Sequence, residues 1–238
     1  DDASVSRDWR SVGLVAGWQT AASLCYYSIF AATGFVREAF TLSESLVGLF
    51  LTAALVGYTV TLFPSGAAVD GYGERPVMIA GLLALAAAAV GVSFAPTYAT
   101  VLAAGGVLGA AYSTAMPASN RGIVAHAPTG QTNLAMGLKQ VGVTTGSAAA
   151  SLLVTGVAAV LAWQVGFWVI AVLAVGYAVV FAARYRGKAG TGELSVPDVT
   201  GLFEQRAYAV LVAAGLFLGA SIFTMLGYIV LYVQDAVG

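Results

Sequence analysis

Residues 66–76 read GAAVDGYGERP, a short polar island between two long apolar stretches. Asp70, Glu74 and Arg75 are crowded here with three glycines, in a chain that is 59% hydrophobic and only 9% charged. A soluble domain carries about 25% charged residues, so these charges are too few to cover a water-facing surface. The composition points to a bilayer, and the island to a turn between two membrane-crossing helices. Gly66 lies near the end of the first of these helices, with Asp70 one turn later on the same face. A carboxylate there is placed to accept hydrogen bonds from a neighbouring helix start, where the helix dipole is positive. Gly71 and Gly73 allow a tight turn, and Arg75 with Pro76 opens the next helix. Arg75 is expected to pair with Asp70 or with an acceptor at the end of the fourth span.

Working outward, a crossing helix takes about 20 mostly apolar residues. Seven such spans are read: 12–35, 46–69, 76–95, 98–119, 136–159, 163–183 and 207–233. The connections at 95–98 and 160–163 are so short that their flanking helices must be antiparallel neighbours. With the amino terminus inside, Arg7, Arg10, Arg75, Arg121, Lys139, Arg184, Arg186, Lys188 and Arg206 all fall on the cytoplasmic side, and Arg37 falls outside. The excess of Lys and Arg in cytoplasmic loops therefore predicts a cytoplasmic amino terminus in the cell (inner or plasma) membrane. It makes the island a cytoplasmic loop and carries the end of the seventh span outside. DDASVSRDWR at the start lacks the basic region of a cleaved signal peptide. Three parts are expected: a six-helix bundle (1–184), a cytoplasmic linker (185–206) and a seventh helix (207–238).

Polarity repeats along the chain. The first span carries Gln19, Ser23, Tyr26, Tyr27 and Phe30 at helical spacing, and the second Thr52, Tyr58, Thr59 and Thr61, whereas the third has only Ser93. The fourth carries Tyr112, Ser113, Thr114 and Asn120, the fifth Gln140, Thr144, Ser147, Ser151 and Thr155, and the sixth is again almost wholly apolar. Polar, polar, apolar, twice over, is the mark of a 3+3 repeat, and an odd number of helices inverts the second copy. The apolar third and sixth helices are expected to face lipid. Gly142/Gly146 lies roughly opposite the Gln140/Thr144/Ser151 edge, so one side of the fifth span is expected to pack closely.

Several classes are excluded. A net charge of −1 with no basic stripe rules out a nucleic-acid partner. One cysteine, Cys25, rules out an internal disulfide and a CxxC metal site. No GxSxG, no HExxH and no histidine within a span argue against an enzyme, and no metal or cofactor is expected. Residues 207–233 hold no lysine for a retinal Schiff base. Substrate-lining candidates are Gln19, Ser23, Tyr26, Tyr27, Tyr112 and Gln140, with Ser221, Thr224 and Tyr228 on one face of the seventh span. Tyrosines supply both an apolar wall and a hydroxyl. Arg121 and Lys139, near cytoplasmic helix ends, are candidates for attracting an anion.

The island resembles the GxxxDRxGRR-like signature of the major facilitator superfamily, with Gly66, Asp70, Gly73 and Arg75 on its positions. Gly71 and Glu74 stand where that signature has basic residues. MGLKQVGVTTGS (136–147) is similar to the start of helix five in bacterial and archaeal members. The resemblance implies an all-α membrane fold: the amino-terminal six-helix half of a twelve-helix transporter plus helix seven, with a carboxyl-terminal half (helices 8–12) as partner. It implies alternating access by a secondary transporter of a small solute, organic and inorganic anions included, with helices one, four, seven and ten lining the cavity. It also implies that the signature loop locks against helix eleven. The position matching the family's proton-antiporter arginine in helix four is Gly105. The alternative is a transport-inactive half that serves as a folding or structural model.

Overall fold

The structure, a computed structural model, describes residues 2–194, 204–215, 217, 218 and 221. It divides into two compact units, Asp1–Ser195 and Val196–Gly238. The first unit is built, among the described residues, from α1 (Asp2–Ala31), α2 (Thr33–Phe40), α3 (Glu44–Tyr72), α4 (Glu74–Ser93), α5 (Tyr98–Tyr112), α6 (Ala115–His126), α7 (Thr132–Ala158) and α8 (Trp163–Arg184). α1, continued by the short α2, covers the first expected span. Among the described residues five stretches are long and apolar enough to cross a membrane: α3, α4, α5 with α6 taken together, α7 and α8.

The fourth segment is broken where the sequence had suggested one helix. Pro117 has no N–H to return to Ser113, so the backbone ladder is interrupted there. Ser113 and Thr114 turn their hydroxyls back onto the carbonyls of Ala110 (2.7 Å) and Ala111 (2.8 Å). Side chains of this kind compete with the helix and bend it. At the other end Thr97 caps α5 in a reciprocal box with Thr100.

α1 is the least apolar of the crossing segments and the most enclosed. Val12, Val15, Trp18, Ala22, Cys25 and Ile29, fully buried at intervals of three and four, form its packed stripe. The Trp18 indole N–H donates to the Met78 carbonyl on α4 at 2.9 Å. A helix walled in by protein meets little lipid, so it can carry polar residues that a lipid-exposed one cannot.

The principal packing partners are α1 with α7, α3 with α5, and α4 with α8. In crossing order these are one with five, two with four, and three with six. Exchanging the triplets one-two-three and four-five-six turns the first pair into the second and leaves the third unchanged, which is the symmetry of an inverted repeat. Both exchanged pairs close on glycine. A Cβ at Gly146 of α7 would overlap the Thr20 carbonyl of α1, and one at Gly109 of α5 would overlap the Ala54 carbonyl of α3. Such clearance lets two backbones touch.

One expectation is corrected. The third and sixth segments do not simply face lipid: α4 and α8 pack on each other. In its most apolar stretch α4 is 50% buried, whereas α3 is 11% buried. Small residues make this possible, since Ala86, Ala89 and Gly81 let α4 sit close to its neighbours. Leu83 on α4 and Val172, Val175 and Val179 on α8 remain exposed. The compact unit also reaches past the expected bundle end at 184. Residues 185–194 lie against the α3–α4 turn, joined to it by hydrogen bonds from Lys188, Thr191 and Gly192. In the second unit, Arg206–Gly215 is a short apolar helix that begins at the last residue of the expected linker and runs into the expected seventh span. Most of the remainder of that span lies outside the described residues.

Candidate functional site

Midway along the first and fourth segments, a neutral cluster joins α1 to α5. Gln19 (3% exposed) and Ser23 (0%) sit one turn apart on α1. The Gln19 amide donates to Ser23 Oγ at 3.3 Å and to the Tyr112 hydroxyl at 3.4 Å. Ser23 Oγ and the Tyr112 hydroxyl are 3.0 Å apart. The Tyr26 ring stacks on the Tyr112 ring, with centroids 4.2 Å apart and planes at 4°. Tyr27 stands edge-on to both, at 5.3 Å from Tyr26 and 6.3 Å from Tyr112. The three-and-four spacing of 19, 23, 26, 27 and 30 on α1 puts these groups on one side. The apolar run of α5 brings Tyr112 to them just before the Ser113–Thr114 break.

Two members were absent from the sequence-based set. Tyr58 of α3 lies 6.1 Å from Tyr112, and Phe30 lies 5.5 Å from Tyr27 with 40% of its surface exposed. Both carried a signal, as aromatics on the polar faces of the first two spans. What the sequence did not reveal is that α3 and α5 pack tightly enough to bring Tyr58 to the ring group. Gln140 does not join the cluster. It is exposed on α7, while the adjoining Lys139 and Gly142 are buried. Ser221 donates to the Phe217 carbonyl of its own segment at 2.8 Å, and Thr224 and Tyr228 lie outside the described residues.

The island forms a second, charged site at the end of the bundle. Gly73 (φ 87°) makes the turn between α3 and α4, and a side chain there would meet the Lys188 carbonyl. Glu74, at the start of α4, is fully buried. Its Oε1 accepts the Lys188 backbone N–H at 2.8 Å and the Tyr185 hydroxyl at 3.3 Å. Arg121 Nε lies 3.2 Å from Glu74 Oε2, an ion-pair distance without hydrogen-bond alignment. Arg121 also donates to Asp70 Oδ1 (3.2 Å), the Val69 carbonyl (3.1 Å) and the Ala189 carbonyl (3.1 Å). Thr191 and Gly192 donate backbone N–H groups to the Asp70 and Gly71 carbonyls at 2.8 and 3.0 Å. Burial raises the Tyr185 phenol above its ordinary range, and the adjacent Glu74 carboxylate raises it further. The hydroxyl therefore stays protonated and available to donate to Glu74.

This knot differs from the expected pairing. Arg75 does not reach Asp70 or the fourth segment; its Nη2 donates to the Ala182 carbonyl at the end of α8, at 2.6 Å. The Gly73 turn separates the two side chains, and Arg121 of α6 takes the place beside Asp70. Glu74, read as a departure from the signature, is the anion around which the knot closes. Arg121 is thus committed to protein partners. Lys139 is buried on α7 and donates to Asn120 Oδ1 at 2.6 Å; it forms no ion pair among the described residues.

The sequence matches the family described as Major Facilitator Superfamily over residues 15–238. No curated protein matches it. Among solved structures, it is similar to a bacterial homologue of the human lysosomal transporter Spinster, solved in an inward-facing, unoccupied conformation. That similarity has a TM-score of 0.69 at 14% sequence identity, over 82% of this chain and 46% of the other. The chain therefore spans about half the length of that structure. A family match across nearly the whole sequence, on an inverted-repeat helical bundle of matching fold, shows that the chain belongs to the major facilitator superfamily.

Proposed function

We propose that this chain is the amino-terminal half, with helix seven, of a secondary active transporter that moves a small solute by alternating access. In this reading it lies in the cell membrane with its amino terminus in the cytoplasm, and completes its cavity with a carboxyl-terminal half. The observation that carries the reading is the neutral cluster of Gln19, Ser23, Tyr26, Tyr27, Tyr58 and Tyr112 where the first and fourth segments meet. Buried amide and hydroxyl groups select a hydrogen-bonding solute, and rings wall it from lipid. The cluster holds no charged side chain. An anionic solute drawn by Arg121 is not supported, because that guanidinium already bridges Asp70 and Glu74. The island acts as the cytoplasmic gate, with Asp70 and Arg121 at its surface.

The test is a ligand screen by thermal shift on the chain assembled with its carboxyl-terminal half, followed by uptake into proteoliposomes. Tyr112→Ala and Gln19→Ala should abolish the shift and the uptake together. A ligand that stabilises both variants as well as the parent would overturn the site. Uptake by the chain alone would show that the second half is dispensable; its absence from both preparations would favour the transport-inactive alternative. Orientation is tested separately with Tyr72→Cys, since Tyr72 is exposed and the native Cys25 is buried. A membrane-impermeant thiol reagent should label position 72 from the cytoplasmic side only.

A further inference from the structure

We infer that the end of the bundle bearing the island also carries a binding site for a phosphate anion, supplied by the headgroup of an anionic phospholipid. A pocket of about 390 Å³ opens where the start of α1 meets the ends of α6 and α8. Its polar lining is Arg10, Ser11, His126, Arg184 and Arg186, with Asp8 as the one carboxylate among the lining residues. Three guanidinium groups therefore face one acid. Arg10, Arg184 and Arg186 form no ion pair among the described residues, in contrast to Arg121 close by. Arg186 is tied in place through its backbone, because its carbonyl accepts from His126 Nε2 at 2.9 Å. That bond engages only the backbone carbonyl and not the guanidinium.

Guanidinium forks suit phosphate oxygens in shape and charge. The volume lies in the range of small-molecule sites, about 300–1,000 Å³. Position argues for a lipid as the source. Arg184 is the last residue of α8, and Arg10 lies just before the first apolar run. Leu14 and Ala183 form the apolar floor of the pocket. Below it, Val180 and Leu173 follow Arg184 along one edge of α8, at steps of four and seven residues, and both are exposed. Gly176, between them on the same helix, leaves open space there. A ligand with a phosphate and an acyl chain matches both parts, whereas free phosphate matches only the upper one. Basic pockets between membrane helices on the cytoplasmic side bind anionic headgroups in this way. The inference rests on the fold and the pocket; the proposed orientation sets only which leaflet supplies the lipid.

The experiment uses the full chain in neutral detergent, with native mass spectrometry and thermal unfolding as readouts. Phosphatidylglycerol, phosphatidylcholine, glycerol 3-phosphate and inorganic phosphate are added separately. Phosphatidylglycerol should be retained and should raise the unfolding temperature, while the other three should do neither. Arg10→Gln and Arg184→Gln should each weaken phosphatidylglycerol retention about fivefold, and the variant with Arg186→Gln added should lose it. Arg184→Lys keeps the charge and should retain part of the binding. Arg37→Gln, on the opposite end of the bundle, should leave it unchanged. Equal retention by the parent and by the Arg10→Gln and Arg184→Gln variants would overturn the site. Protection by inorganic phosphate or glycerol 3-phosphate equal to that by phosphatidylglycerol would overturn the lipid as its source. If the triple variant does not fold, the two single variants carry the same comparison.

Discussion

The bundle holds two polar regions that obey opposite rules. The knot at the island is made of full charges, and each buried charge has partners: Glu74 holds Arg121, Tyr185 and the Lys188 N–H around one carboxylate. The cluster between α1 and α5 uses only amide, hydroxyl and ring groups. The difference follows from depth. At a helix end, chain from outside the membrane span can fold over a charge, as residues 185–194 do, and supply backbone donors. At the bilayer centre a charged side chain costs about 2.5–3.5 kcal/mol on insertion scales, and amide and hydroxyl groups avoid that cost by satisfying one another. Charge therefore closes the end of the bundle, and neutral polarity is kept for the interior.

The sharpest way to break this contrast is to remove the anion of the knot. Glu74→Ala leaves Arg121 facing a buried void and should cost about 3–5 kcal/mol, the usual loss when one partner of a buried pair is deleted. Thermal unfolding in detergent measures it. Adding Arg121→Ala to that variant should cost much less than Arg121→Ala alone; additive losses would mean the two groups are not coupled.

Next in size is the closure that brings the neutral cluster together. Gly109→Ala places a methyl against the Ala54 carbonyl and should cost about 1–3 kcal/mol by overpacking, read as a lower unfolding temperature. Gly146→Ala, at the glycine that closes the α1–α7 pair, should behave alike, and a neutral result at either site would show that the two pairs do not both depend on glycine clearance.

Within the cluster, Tyr112→Phe keeps the stacked ring and removes the hydroxyl shared with Gln19 and Ser23. The expected loss is about 0.5–1.5 kcal/mol, the worth of an ordinary hydrogen bond. A loss as large as that of Glu74→Ala would mean that neutral and charged regions are held equally tightly. The smallest effect is expected at Arg37, whose 3.7 Å pair with Glu44 is exposed to solvent at both ends. Arg37→Gln should change stability by no more than about 0.5 kcal/mol, as is usual for surface pairs. The same charge type thus matters at Arg121 and scarcely at Arg37, and burial is the variable that separates them.

How much of this was legible in the sequence depends on the range of the interaction. Span positions followed from apolar runs, and the repeat from where polar residues recur. Gln19, Ser23, Tyr26 and Tyr27 could be grouped because helical spacing alone puts them on one face. Tyr112 could be proposed but not placed, and Tyr58 joined only when α3 was seen against α5. The break at Ser113–Thr114 carried a local sign in Pro117, yet the apolar run around it masked that sign. Lys139 and Arg121 looked alike as basic residues near helix ends; their neighbours made one a member of the knot and left the other with Asn120.

The sequence by itself determined that the chain is a multi-pass membrane protein, and where its charges collect. Those properties come from the energy of moving each residue type between water and lipid, which is nearly local. Only the tertiary structure decided that the third segment is enclosed while the second is open, that Arg75 turns to α8 while Arg121 takes Asp70 and Glu74, and that residues 185–194 seal the island. Those outcomes depend on which helices meet and at what distance, and they are fixed by glycine contacts between segments that lie far apart in the chain.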